Sequence, residues 1–279
     1  LVKKSTGGNM NETASRSPSP TGHPAGPRPR RAGVELRSLV RGDIVSSIQA
    51  GWRDFKAAPL YGLFFGGIYA LGGMAIVALF SWLKLPWIGY PLTMGFALIV
   101  PFVAAGTYEV SRRLERGEPL SWDAVFGAVW ARSGKDLGWM ALVTVFALII
   151  WVDFAIFLFL MFYGLRVPGF VEFVTVVLTT QKGMLFLVVG NAVGAVVAML
   201  VFSITVISFP LLADRDVDFV TAMVTSVRAV LANPVQMIAW AALIGLMIGF
   251  SILSGFVGLF VALPVLGHAS WHLYRKLVV

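Results

Sequence analysis

The sequence predicts an all-α membrane protein with six transmembrane helices in three repeated units, each preceded by a cytoplasmic amphipathic helix, behind a disordered N-terminal tail. Three observations predict it. Of the 279 residues only 13% are charged and 58% are hydrophobic, whereas a soluble domain carries about 25% charged residues. The apolar residues gather in runs long enough to cross hydrocarbon, about 20 residues each. The stretch Asp43 to Pro59, DIVSSIQAGWRDFKAAP, can also be laid over Asp218 to Pro234, DFVTAMVTSVRAVLANP, without a gap.

Residues 1 to about 36 place Pro18, Pro20, Pro24, Pro27 and Pro29 among Ser, Gly and Arg, a composition with almost nothing to bury. This is the expected disordered tail. It has no apolar run followed by a small-residue cleavage site, so it does not read as a secretory signal peptide, and the first span is expected to do the targeting. Residues 37–279 form the membrane domain, with units of about 43–113, 121–215 and 218–279. No cysteine is present, which excludes disulfides, iron–sulfur clusters and thiolate chemistry.

Each unit opens on an amphipathic helix. Ile44, Ile48, Trp52 and Phe55 fall at helical spacing in the first, as do Phe219, Met223, Val227 and Val230 in the third. Arg53 and Arg228 coincide when the two are superposed. A weaker copy starts at Ser121, its capping residue, with Trp122, Phe126 and Trp130 on the stripe. The expected spans run roughly 60–83, 91–110, 138–162 and 184–209. A double-length block from 235 to about 274 divides near 253–256 at Ser254 and Gly255. The extra segment 165–182 reads as an interfacial helix on the outer side. Spans two and six end alike, in PFVAAGTYEVSRR and PVLGHASWHLYRK. Small residues at every fourth position, Gly62/Gly66/Ala70, Gly190/Gly194/Ala198 and Gly245/Gly249, predict close helix contacts.

Orientation follows from Lys and Arg outside the spans. With the N-terminus in the cytoplasm, 19 of the 22 fall on the inner side and only Lys84, Arg166 and Lys182 on the outer. Trp139, Tyr108, Trp240 and Trp271 would form the inner aromatic belt, and Trp82, Trp87, Tyr90 and Tyr163 the outer one. The formal charge of +8 is concentrated at one end, which suits an anionic membrane surface rather than nucleic acid.

The run FLVVGNAVGAVVAMLVFSITVISFPLLADRDVDFVTAMVTSVRAVLANP, with PLYGLFFGGIYALGG, YEVSRRLERGEPLSW and LPVLGHASWHLYRK, resembles a bacterial integral-membrane family, domain of unknown function 2189. The resemblance covers nearly everything after residue 36. It implies a bacterial inner-membrane protein and carries no established activity.

Few residues offer chemistry. Asp153 is the only acid away from the ends of a span, about 24 Å into a hydrocarbon core of about 30 Å. It reads either as a proton or cation site, with Asn191 or Lys182 as partners, or as an acid that snorkels to the outer headgroups or bonds Asn191 as packing glue. His268 and His272, four apart, have metal-ligand spacing, but two ligands do not make a site, and interfacial histidines are the favoured reading. In DRDVD, Asp218 reads as a helix cap, and Asp214 and Asp216 as acids drawn to the same helix N-terminus. Arg53, Arg112, Arg113, Arg132, Arg228 and Arg275 are the candidates for contact with lipid headgroups or a partner. No cofactor is expected, and no catalytic or nucleotide-binding fingerprint occurs. The expectation is a non-enzymatic accessory, assembly or scaffold protein with the bilayer and a membrane protein as partners. The alternative is a small transporter or channel using Asp153.

Overall fold

The computed structural model describes residues 34–83, 86–132, 135–165 and 170–279. Nearly all of the tail, Lys84 and Arg166 lie outside them, as do the side chains of Trp87, Tyr90 and Arg132. Among the described residues eleven helices follow one another: α1 (Asp43–Ala57), α2 (Pro59–Leu83), α3 (Pro86–Arg116), α4 (Trp122–Arg132), α5 (Lys135–Tyr163), α6 (Phe170–Thr179), α7 (Gln181–Thr205), α8 (Ser208–Asp214), α9 (Phe219–Ala232), α10 (Pro234–Leu253) and α11 (Leu259–Leu277). Four stretches are long and apolar enough to cross a membrane, namely α2, α5, α7 continued by α8, and α10. The other two expected spans fall within α3 and α11. The second half of α11 carries His268, His272, Arg275 and Lys276, so its apolar run is short.

Proline sets three of the breaks. Ahead of Pro59 and Pro234 the chain leaves helical geometry in nearly the same way, with φ −134° and ψ 57° at Ala58 and φ −136° and ψ 53° at Asn233, because a following proline disfavours the α region. Pro210 lacks an N–H and its ring would meet the carbonyl of Val206, which separates α7 from α8. The turn between α10 and α11 places Gly255 and Phe256 at φ 69° and 70°.

Helix α11 is the axis, with α1, α2, α3, α8 and α10 packed around it. Its neighbours approach through glycine. A Cβ at Gly51 of α1 would stand 2.6 Å from the Ala269 nitrogen and 2.7 Å from the Val265 carbonyl. On α2, a Cβ at Gly66 would stand 2.8 Å from the Phe260 carbonyl, an oxygen that Pro264 deprives of its helical donor. The expected Gly62/Gly66/Ala70 stripe is therefore a true contact. The other two are not: Gly190, Gly245 and Gly249 have open space where a Cβ would go, and Gly194 meets only the Trp151 ring.

Other expectations are also corrected. Residues 34–36, placed in the tail by composition, are tied to the far end of the chain: Leu36 bridges Val278, and the Arg37 N–H donates to Leu277 O at 2.8 Å. Tyr108, Trp240 and Trp271 are buried in protein rather than standing in a belt, whereas Trp139 and Trp82 are exposed. In α1 the innermost residues are Ser47, Ala50, Gly51 and Phe55, while Trp52 is exposed. In α9 they are Ala222, Thr225, Ser226 and Val230 with Ala229. Small residues, joined from the large apolar stripes only by Phe55 and Val230, thus form the deepest face of both helices, because a helix can approach another backbone closely only through them. Superposing Asp218 on Asp43 brings Ala222 onto Ser47, Thr225 onto Ala50, Ser226 onto Gly51 and Val230 onto Phe55.

Candidate functional site

The polar residues converge where the C-terminal ends of α3, α8 and α11 meet α1. On α3, Glu109 is buried and receives both neighbouring arginines. Arg112 forks onto it with Nε–Oε2 2.7 Å and Nη2–Oε1 2.6 Å, and Arg113 adds Nε–Oε1 at 2.8 Å. The spacing of three and four residues puts all three on one helical face. Arg112 and Arg113 were expected at the headgroups, yet Arg112 is buried, and Arg113 also donates to Pro119 O at 3.1 Å. They hold the α3–α4 turn together.

A second chain of bonds links three helices. Asp54 of α1 accepts from Ser111 Oγ of α3 at 2.8 Å and from His272 Nε2 of α11 at 2.7 Å. Ser111 Oγ also lies 2.7 Å from His268 Nδ1. A carboxylate only accepts, so the single Ser111 proton goes to Asp54 and His268 must carry its proton on Nδ1. His268 Nε2 is then a buried acceptor without a partner. The ring donates to Ser111 instead of accepting from it, which is the reverse of what activating a serine nucleophile requires. His268 is fully buried, not interfacial, and among the described residues no three His, Cys, Asp or Glu side chains are arranged to hold a metal.

A third group closes the same end. Glu115 accepts from Trp271 Nε1 at 3.0 Å and Arg275 Nε at 3.2 Å. Asp214 accepts from Tyr274 Oη at 2.8 Å, with Arg275 at 3.8 Å and Arg116 at 4.0 Å. Asp214 therefore serves α11 rather than the N-terminus of α9. Asp218 caps α9 as expected, accepting from the Thr221 N–H at 2.9 Å. On α1, Asp43 accepts from the Val40 N–H at 2.8 Å and pairs with Lys276 at 3.3 Å and Arg37 at 3.4 Å. Burial pushes its carboxyl up, but Val40, Lys276 and Arg37 together hold it below its ordinary value.

The remaining candidates are scattered. Arg53 and Arg228 are exposed, and Arg132 lies outside the described side chains. Asn191 is on α7 and donates to Leu187 O at 2.7 Å. It lines an apolar groove of about 850 Å³ between α5 and α7, with Thr144, Trp151 and Gly194. Asp153 is exposed on α5 and has no hydrogen-bonding or ionic partner among the described residues; Lys182 lies over the Tyr163 ring at 5.9 Å instead. Sequence reasoning missed Asp54, Ser111, Glu109 and Glu115. The spacing of Glu109 to Arg112 and Arg113 was a readable signal. Nothing local announces Asp54 to His272, whose bond spans 218 residues.

No curated protein and no solved structure matches the chain. Its central part, from within α3 to the end of α8, does find a relative, in agreement with the resemblance drawn from the residues: positions 89–214 match the family described as predicted integral membrane protein (DUF2189), a family of unknown function.

Proposed function

We propose that this chain is a non-catalytic protein of the bacterial inner membrane that acts as an accessory, assembly or scaffold partner of other membrane proteins. It crosses the bilayer six times, as three helical hairpins (α2/α3, α5/α7 and α10/α11), with both termini in the cytoplasm. The observation that carries this reading is how unevenly the chain distributes its interactions. The titratable groups at the junction of α1, α3, α8 and α11 are engaged with one another, whereas α5 and α7, two of the longest apolar helices, bury none of their most apolar windows within the protein.

The polar end supports one-sidedness. Hydrogen bonds and ion pairs connect α1, the end of α3, the end of α8 and the end of α11, and Asp136 at the start of α5 accepts from the Phe219 N–H of α9 at 3.1 Å. That is the end to which the basic residues assign the cytoplasm. Here α4 presents Trp122, Phe126 and Trp130, all exposed, with Trp122 against Tyr61 of α2 at 4.1 Å between ring centres. An aromatic ridge on a protein that also carries exposed cations such as Arg53 is suited to anionic headgroups, where each cation adds about 1 kcal/mol. The matching geometry before Pro59 and Pro234 supports an ancestral repeat.

A transporter using Asp153 would need that carboxylate on a path between helices. It points away from the α5–α7 groove instead, which favours the accessory reading. Affinity isolation of the full chain from native membranes in mild detergent tests it: a stoichiometric membrane-protein partner is expected. A solitary oligomer whose liposomes carry a flux abolished by Asp153→Asn would contradict it.

A further inference from the structure

The outward face of α5 bears an uncommon combination. Leu142, Phe146, Ile149, Asp153, Ile156 and Leu160 recur at alternating steps of four and three, the spacing of a seam on which a second helix packs. All but Ile149, which is half-buried, are exposed. The groove toward α7 is lined from α5 by residues such as Leu148, Trp151 and Ala155, and Asp153 stands about 200° around the helix from Trp151. Asp153 is also about 15 Å along the axis from Tyr163, within the apolar length of the span. A carboxylate facing hydrocarbon at that depth is costly unless it meets a cation or a strong donor.

A second copy of this chain has no such cation to offer. No Lys or Arg stands in residues 57–83, 85–111, 136–165, 183–214 or 229–274, the stretches that contain every span. A cationic complement to Asp153 therefore comes from a different chain. We infer that this face of α5 is a docking seam for a transmembrane helix of another membrane protein, one that presents a Lys or Arg at the depth of Asp153. The inference rests on the accessory reading and specifies its partner's chemistry. The apolar residues of the seam supply packing that lipid matches only in part, and the single charged pair sets register and partner choice, as one polar position does in a two-helix coiled coil.

The test uses the purified full chain in phosphatidylcholine vesicles with a fluorescent Leu-rich transmembrane peptide bearing one Lys at the depth of Asp153. Matched peptides carry Gln or Leu there. The Lys peptide should associate about five- to thirty-fold more tightly than the Leu peptide. Asp153→Asn, which keeps size and amide hydrogen bonding, should remove that preference, and Leu148→Ala in the groove should leave it intact. Equal binding of the three peptides, or a preference that survives Asp153→Asn, overturns the seam. So does self-association of labelled copies that Asp153→Asn abolishes, since the carboxyl would then serve a homodimer. In native membranes, a photocrosslinker at Phe146 or Ile156 separates this inference from its foundation. A partner captured equally by wild type and Asp153→Asn overturns the seam and leaves the accessory role standing, whereas the absence of any protein partner overturns both.

Discussion

At the residue scale, the glycines of this chain divide by what stands opposite them. Gly51 and Gly66 lie against the backbone of α11, where a side chain has nowhere to go. Gly245 and Gly249 face open space. Gly51→Val should therefore lower the thermal unfolding temperature in detergent and cost about 1 to 3 kcal/mol or more through overpacking, while Gly245→Val should leave it nearly unchanged. Equal effects would mean that α1 does not touch α11 at Gly51. The sequence presents Gly66, Gly245 and Gly249 identically, as small residues at helical spacing. Which helix lies opposite is a tertiary fact that spacing does not contain. Asp43 gives a second expectation. Its carboxyl is held below the ordinary value by Val40, Lys276 and Arg37, so its stabilisation is present above the unfolded-state pKa of about 4 and fades as pH falls through the folded value. Asp43→Asn should lower the unfolding temperature at neutral pH, and the gap to wild type should close on acidification. A gap that stays constant down to the lowest pH would show that the charge of Asp43 contributes nothing.

At the scale of elements, most boundaries were legible. Apolar runs and proline punctuation located α2, α5, α7 and α10, and Ser254 with Gly255 located the break before α11, since hydrocarbon length, the missing proline N–H and turn residues are local properties. Helices do stand at Asp43–Ala57, Trp122–Arg132 and Phe219–Ala232, where the striped stretches were read, but the deepest faces of the first and third differ from the expected stripes. In α1 and α9 small residues share the innermost face with Phe55 and Val230 while the rest of the large stripe flanks them, because what each helix meets is another helix and not lipid alone. Helix α4 differs: its stripe of Trp122, Phe126 and Trp130 remains exposed, with Trp130 at 85%. If that ridge sits in the headgroup region, Trp130 fluorescence should be quenched by a nitroxide near the lipid headgroup more strongly than by one deep in the acyl chain. A single-tryptophan variant retaining Trp130 measures this, and quenching by aqueous iodide alone would place α4 in water.

At the scale of the whole molecule, the arginines explain why charge was easier to count than to assign. The tally treats every Lys and Arg alike, yet Arg112, Arg113 and Arg275 are engaged with Glu109, Glu115 and Asp214, leaving Arg53 and Arg228 outward. The pairings of Arg275, like the Asp54–His272 bond, join helices far apart in the chain and so were not visible in the sequence, whereas those of Glu109 are local to α3. They gather the ends of α3, α8 and α11 with α1 into one polar layer, and an account with three hairpins requires that layer to lie wholly in the cytoplasm. The chain contains no cysteine, so single introduced thiols report on sidedness without background. The most direct measurement labels Ser121→Cys, Leu165→Cys and Ser254→Cys in intact cells with a membrane-impermeant maleimide. Labelling of Leu165→Cys and Ser254→Cys, with Ser121→Cys reacting only after permeabilisation, is the predicted result; labelling of Ser121→Cys in intact cells would contradict the account.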